Sequence, residues 1–176
     1  MERKHQIMDE ATITRTLARM THEIIERNNG VEDVVILGVK NRGIDIAKTL
    51  AANIRRFEDV DVPTGALDVT MHRDDYTFEM KKEKATESQI PCDLFDKIVI
   101  IVDDVLFTGR TARAALETVF SIARPRAVQL AVLVDRGHRE IPIRPDYVGK
   151  NIPTAKTEKV QVSLNIEDKG VYIINQ

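Results

Sequence analysis

Two adjacent carboxylates, Asp103 and Asp104, stand just before the run Thr108-Gly109-Arg110-Thr111. These residue types could do chemistry together. A small-residue turn that opens a helix offers free backbone N–H groups and Thr hydroxyls to a phosphate. Gly109 would let the backbone approach that anion closely, and Arg110 could neutralise it. The carboxylates would repel a phosphate. They suit vicinal hydroxyls, or a hydrated divalent cation. A ligand with a phosphate at one end and a diol close by is a ribose 5-phosphate. The plainer alternative is a Mg²⁺ site, which many strand–acid–turn–helix junctions carry, and shape alone leaves both readings open. No GxxxxGK[ST] and no GxGxxG string occurs, so neither a triphosphatase P-loop nor a dinucleotide fingerprint is present.

The elements that must position these groups can be read on either side. Ile98 to Val102 is a short β-branched run that suits a strand buried on both faces, ending at the acidic pair. A helix should follow from Ala112 to about Ile122. A second unit of the same design lies upstream. Val34 to Val39 reads as a strand, Lys40-Asn41-Arg42-Gly43 as its turn, and about Ile44 to Arg56 as a helix. A turn with two cations and helix-start N–H groups is built for an anion, and it falls where open α/β sheets bind ligands. Asp9 can cap a helix running to about Asn28. Its buried face would be Ile13, Leu17, Met20 and Ile24, and Asn29-Gly30 would stop it.

Further strands are expected at Gly65 to Met71 and Ala127 to Val134, the latter leading into Asp135-Arg136-Gly137-His138-Arg139. Tyr147 to Lys150 is short and partly apolar. Val160 to Leu164 and Val171 to Ile174 are late strand candidates. Residues 72–89 have little apolar content and no period, which predicts a mobile loop, either a lid or simple disorder. Strands alternating with helices predict a central parallel sheet flanked by helices, in one domain over residues 1–176.

Composition sets the bounds. The 176 residues suffice for one real core. A net charge of −2 gives no global basic field, so any nucleic-acid surface must be a local patch. Cys92 is the sole cysteine, which excludes an internal disulfide and fits a reducing compartment. No apolar stretch is long enough to span a membrane, and the opening MERKHQIMDE lacks a signal peptide's apolar core. The expectation is a cytoplasmic protein with no membrane partner.

The string DDVLFTGRT closely resembles the 5-phosphoribosyl-1-pyrophosphate (PRPP) motif of type I phosphoribosyltransferases. That resemblance implies their α/β fold, with a flexible loop at about 72–89 and a small hood. It implies that Asp103 and Asp104 hold the ribose hydroxyls. Val105, Leu106, Phe107, Thr108, Gly109, Arg110 and Thr111 would complete the nucleotide site, with the turn on the 5-phosphate. GVKNRG resembles the family's pyrophosphate loop, which assigns Lys40, Asn41, Arg42 and Gly43 to PRPP. Asn41 stands where Thr is usual. Arg73 is the residue of the flexible loop placed to reach pyrophosphate, beside His72 where Tyr is usual. The implied catalytic set is Arg42, Arg73, Asp103 and Asp104. Magnesium would enter bound with PRPP, not on protein ligands alone.

Over most of its length the chain also resembles hypoxanthine-guanine phosphoribosyltransferases. Those carry an Asp before the TG turn and a Lys in the late strand-end loop; here Phe107 and Asp135 stand there. A side chain that cannot exchange a proton and an acceptor for an N–H point to uracil. Tyr147 matches the ring that stacks on the base, with core packing its plain alternative, and Val148 matches the adjacent backbone contact.

The segment LAVLVDRGHREIPIRPDYVGKNIPT, with HEIIERN and the PRPP motif, resembles the bifunctional pyrimidine operon regulators along nearly the whole chain. Members bind pyrimidine-operon leader mRNA, promote transcription attenuation in response to the uridine nucleotides UMP and UTP, and convert uracil and PRPP to UMP. On residues alone, Arg15, Arg19, His22 and Arg27 read as a solvated helix face. The resemblance joins them with His138, Arg139, Arg144 and Lys150 in one RNA-binding surface, and Ala18 stands where some relatives carry a hydroxyl. Such a patch works best when duplicated in a homo-oligomer, a dimer or higher. Two other readings compete: a salvage-only enzyme for uracil or a purine base, without RNA binding, and a binding-only nucleotide sensor. The basic set argues against the first, and the pyrophosphate loop with Arg73 against the second.

Overall fold

The computed structural model describes residues 3–175. In chain order the elements are β1 (Arg3–Asp9), α1 (Glu10–Arg27), β2 (Val34–Val39), α2 (Arg42–Glu58), β3 (Thr64–Leu67), α3 (Phe78–Lys84), β4 (Ile98–Leu106), α4 (Arg110–Ile122), β5 (Ala127–Asp135), β6 (Tyr147–Asn151), β7 (Lys159–Ser163) and β8 (Gly170–Asn175).

β2 shows why the central sheet forms. All six of its residues are buried, with Val34 and Ile36 in one core cluster and Val35, Leu37 and Val39 in the other. A strand apolar on both faces must be covered on both, which parallel sheets with crossover helices achieve. The five-stranded order is β3-β2-β4-β5-β6, every neighbouring pair parallel. α1 and α2 cover one face through Ile13, Leu17, Met20 and Ile24 and through Ile46, Leu50 and Ile54. α4 covers the other with Ala112, Ala115 and Val119. The order reverses between β2 and β4, so the crevice at their carboxyl ends is the topological switch point, where such sheets take ligands.

The second sheet is antiparallel, in the order β1-β8-β7, and joins the two ends of the chain. It is the hood. The late strands predicted from sequence belong here rather than to the parallel sheet, and β1 was not anticipated. α1 begins at the predicted cap, where the Asp9 carboxylate accepts the Thr12 N–H at 2.8 Å. Two expectations are corrected. The strand predicted over Gly65 to Met71 stops at Leu67, because Asp68 turns the chain, its N–H donating to Ser88 Oγ and its Oδ1 accepting from Thr70 N–H, each at 2.8 Å. Residues 72–89, read as a loop without a period, contain one short helix. It is α3, capped by Thr77, and the segment rejoins the sheet at a two-way backbone pair between Ala66 and Gln89.

Candidate active site

β4 does not end before the acidic pair. It runs through Asp103 and Asp104 to Leu106, because its ladder with β5 continues from Asp103 opposite Val132 to Leu106 opposite Asp135. The carboxylates therefore sit on a paired strand. Asp103 Oδ1 accepts the Asp104 N–H at 2.8 Å, and Asp104 Oδ1 accepts the Val105 N–H at 2.8 Å. Burial, and then the neighbouring Asp104 charge, pushes the Asp103 carboxyl well above the usual carboxylate range. Across an open cleft of about 570 Å³ stands the loop Val39–Arg42, with Arg42 Nη1 at 3.7 Å from Asp104 Oδ2.

That loop folds tightly onto β4. A Cβ on Gly43 would come within 2.3 Å of the Val102 carbonyl oxygen, so only glycine permits the approach. The Lys40–Asn41 peptide is cis. Arg42 opens α2, while Asn41, at its cap, makes no side-chain capping bond. Lys40 Nζ donates to Thr86 Oγ1 at 2.8 Å and to the Glu87 carbonyl at 2.7 Å, which ties the loop after β2 to the segment after α3. Asp68, which the sequence reading passed over, accepts from Thr86 and anchors the same segment.

At the turn, Gly109 takes φ +91° and α4 starts at Arg110, so the helix opens where a phosphate would lie. Thr108, Arg110, Thr111 and Arg73 line one small cleft there. The cations of this cleft carry internal partners. Arg110 Nη1 meets Asp74 at 2.5 Å and its Nε meets Glu140 at 3.1 Å. Arg73 makes a two-point pair with Asp75, at 2.8 and 2.6 Å, and lies over the Tyr76 ring.

The predicted base contacts need revision. Tyr147 begins β6 opposite Ala131, short of the strand's carboxyl end. It is 2% exposed and faces the α1 side of the sheet, with its hydroxyl on Gln129 at 2.6 Å and Asn28 at 3.2 Å. It is a core tyrosine with a satisfied hydroxyl and does not stack on a base at the turn. The Val148 carbonyl accepts from Arg19, which turns that contact towards α1. Asp135 does stand at the end of β5, yet its carboxylate already holds the Gly137 N–H at 3.0 Å and Arg139 Nη2 at 2.5 Å. Phe107 lines the cavity beside the turn. The guanidinium of Arg136, 6% exposed, lies 4.0 Å from its ring centroid and donates to the Ala155 and Glu158 carbonyls that lead into the hood. A buried cation after a strand gives no sequence signal that sets it apart from a surface arginine.

The predicted basic surface divides. Arg15, Arg19, His22 and Arg27 are exposed on α1. Arg19 donates to the Val148 and Gly149 carbonyls at 3.2 and 2.7 Å, and Arg27 pairs with Asp146 at 2.9 Å, so α1 is stitched to β6. His22 stacks on Phe57 with centroids 4.3 Å apart. Arg144 and Lys150 are both exposed, and Arg144 borders a cavity lined by Ala112 and Leu116 of α4. His138 and Arg139 do not join them. His138 is held at 2.6 Å from the Thr154 carbonyl, edge-on to Phe107, and the Arg139 guanidinium is turned inward onto the Phe107 carbonyl at 2.8 Å. Three polar partners draw the Arg139 side chain inward, away from solvent.

An acidic pair on β4 faces a cationic loop at the switch point, and a glycine turn opens a helix beside them. This is the arrangement of a phosphoribosyltransferase, and the family model described as phosphoribosyl transferase domain matches residues 5–167. The chain belongs to the type I phosphoribosyltransferases and, within them, to the bifunctional PyrR proteins. It is 55% identical over 165 residues to the bifunctional protein PyrR of Clostridium novyi, covering 94% of this chain and 93% of that one. Against the Bacillus pumilus protein of the same name it is 53% identical over 172 residues, covering 97% and 96%. Among solved structures, hypoxanthine phosphoribosyltransferase from Trypanosoma cruzi in complex with IMP has the same fold, with a TM-score of 0.73 at 19% identity over 97% of this chain and 89% of that one. A hypoxanthine-guanine phosphoribosyltransferase from Bacillus anthracis gives 0.63 at 20% identity, over 85% and 84%.

Proposed function

We propose that the protein is an RNA-binding regulator of transcription attenuation in the pyrimidine operon, responsive to uridine nucleotides, that also converts uracil and PRPP to UMP and pyrophosphate. One observation carries the enzymatic half: the acidic pair and Thr111, the second residue of the helix that follows the glycine turn, face the Lys40–Arg42 loop across one cleft. In the reaction the bond from the anomeric carbon to pyrophosphate breaks and the bond to uracil N1 forms. The ring gains oxocarbenium character while negative charge gathers on the leaving group. Arg42, Lys40 and Arg73 are the cations for that charge. Asp103 and Asp104 orient the ribose hydroxyls, and the helix start with Thr108 and Thr111 takes the 5-phosphate. The flexible loop, moored to Lys40, excludes water that would hydrolyse PRPP.

Among the described residues no group of three or more potential ligands could hold a metal alone. Asp103 and Asp104 are the carboxylates that would lie beside a Mg²⁺ carried with PRPP, as oxygen donors suited to that ion. When bound, the ion neutralises pyrophosphate oxygens. Phe107 supplies an apolar wall with no proton to exchange, which favours uracil over a purine that needs an acid at N7.

The exposed cations of α1, with Arg144 and Lys150, support the regulatory half, as a patch for an RNA stem in the cytoplasm. The test pairs two assays. Radiolabelled uracil should yield UMP, and hypoxanthine should yield nothing. Leader RNA should bind more tightly with UMP, and UMP more tightly with RNA, by the same factor. Arg19→Gln and Arg144→Gln should each lower RNA affinity and flatten its salt dependence by about one in slope while uracil turnover persists. Formation of inosine monophosphate without UMP would overturn the base assignment. RNA affinity unchanged in both variants would leave the salvage-only reading.

A further inference from the structure

Arg139 uses three of its nitrogens at the mouth of the site. Nε donates to the Ile143 carbonyl at 2.8 Å, Nη1 to the Phe107 carbonyl at 2.8 Å, and Nη2 to Asp135 Oδ2 at 2.5 Å. Those three acceptors belong to three different pieces of chain: the return of the late loop, the end of β4 just before the glycine turn, and the end of β5. Its side chain is 22% exposed and that of Asp135 13%. The neighbouring backbone continues the junction. Arg136 N–H donates to the Leu106 carbonyl at 3.0 Å, and the Glu140 and Ile141 N–H groups donate to the Thr108 carbonyl at 2.8 and 3.0 Å. Three consecutive peptide carbonyls, of Leu106, Phe107 and Thr108, are thus met by loop 136–141. Arg139 supplies the middle contact, and only that one comes from a side chain.

We propose that Arg139 is a positioning residue for base recognition: it locks Phe107 and Asp135 in register at the wall of the base pocket. This rests on the function proposed above, which puts the base beside Phe107. The argument is one of geometry and shape. A planar fork can serve three acceptors in fixed directions, and an ammonium on a flexible stem cannot. Without the fork, the Phe107 carbonyl and the Asp135 carboxylate lose their shared donor in a half-buried place, where a charge-assisted bond weighs most. Phe107 and Asp135 would then shift relative to each other. The Thr108 carbonyl keeps its backbone donors, so the phosphate turn should suffer less than the base wall.

The shape argument separates positioning from simple charge. If Arg139 met RNA phosphates, lysine would largely replace it. If it positions the base wall, Arg139→Lys must fail much as Arg139→Gln does, in assays that contain no RNA. Both variants should raise the KM for uracil by about tenfold or more, the loss expected when a charge-assisted hydrogen bond is broken. The KM for PRPP should move by far less. Asp135→Asn should raise the uracil KM in the same direction, and Asp135→Asn combined with Arg139→Gln should add little to the larger single effect, because both act on one contact. Thermal melts run alongside. If Arg139→Gln does not fold, Arg139→Lys and Asp135→Asn still carry the comparison. Uracil and PRPP constants within about twofold of the parent in Arg139→Lys overturn the proposal, as does a rise in both constants by equal factors, which would mark a general structural role. A parent protein that neither binds UMP nor turns over uracil overturns the underlying function, and this proposal with it. A parent that does both, with variants that match it, overturns the proposal alone.

Discussion

In the proposed site, the two ends of PRPP face very different protein. On the ribose-phosphate side, the carbonyls of Leu106, Phe107 and Thr108 are each held by a donor from loop 136–141, and Gly109 packs against Ile141. On the pyrophosphate side, the contacts are made mainly by side chains: Lys40 to Thr86 and the Glu87 carbonyl, Arg73 to Asp75, and Arg42 at 3.7 Å from Asp104. Backbone held by backbone is stiff, whereas exposed ion pairs contribute about 0–1 kcal/mol each and exchange readily. The contrast suits the chemistry. The ribose phosphate stays from PRPP to UMP, so its seat can be fixed. Pyrophosphate must be gripped, covered and then released, so its partners must let go.

Breaking the stiff side should have the largest effect. Gly109 holds φ +91°, and a Cβ there would come within 3.2 Å of Ile141 Cβ and 3.3 Å of the Ile141 carbonyl oxygen. Valine at this position is strained twice, by its backbone angle and by the wall it meets. Gly109→Val should weaken UMP and PRPP alike by about 100-fold or more, since both use the same phosphate seat. Calorimetry with UMP decides it. A variant that binds UMP normally would show that the turn is not clamped as its contacts imply.

The pyrophosphate side should break selectively. Arg42 opens α2 with its side chain 57% exposed and only a distant carboxylate for company. Arg42→Ala should lower turnover with PRPP by about 10- to 100-fold through lost stabilisation of the leaving group. UMP has no pyrophosphate, so its affinity should change little. A parallel loss of both would move Arg42 from the leaving group to the frame of the site and erase the contrast.

This division was only partly legible in the sequence. β2, β4 and β5 announce themselves because a strand buried on both faces must be apolar throughout, and α1 by its cap and period. The motif residues stand out in the sequence because acids, small residues and cations cluster at the ends of two apolar runs. What failed were features decided by partners far along the chain. β1, RKHQIMD, is a strand only through β8, more than a hundred residues away. The acidic pair belongs to a strand because β5 lies alongside it. Tyr147 and Val148 differ by one position, and in a strand one position decides the face. Arg139 looked like a surface cation because sequence records charge and not direction. α3 buries no residue, so it left no apolar period to read.

The smallest effect expected concerns the seam between the two sides, where Asp103 sits. Burial first, and the Asp104 charge second, raise its pKa well above the ordinary value. A carboxyl whose pKa is higher folded than unfolded stabilises the fold at low pH, and that contribution is lost as pH rises through the folded pKa. As pH rises beyond the ordinary carboxylate range, Asp103 therefore costs the fold stability relative to a neutral side chain, a cost that the proposed ribose role would explain. Asparagine keeps an oxygen for the Asp104 N–H and carries no charge. Asp103→Asn should raise the melting temperature at neutral pH, and relief of about 1 kcal/mol would move it by about 2–4 °C in a chain of this size. The gain should shrink as pH falls through the folded pKa of Asp103, because the parent carboxyl is then neutral too. The same variant should bind UMP more weakly, as it offers the ribose hydroxyls a poorer acceptor. Melting curves across the acid range, with and without UMP, separate the two effects. A lower melting temperature at neutral pH would show that the ionised carboxylate supports the fold there. A gain independent of pH would trace the change to packing instead of charge.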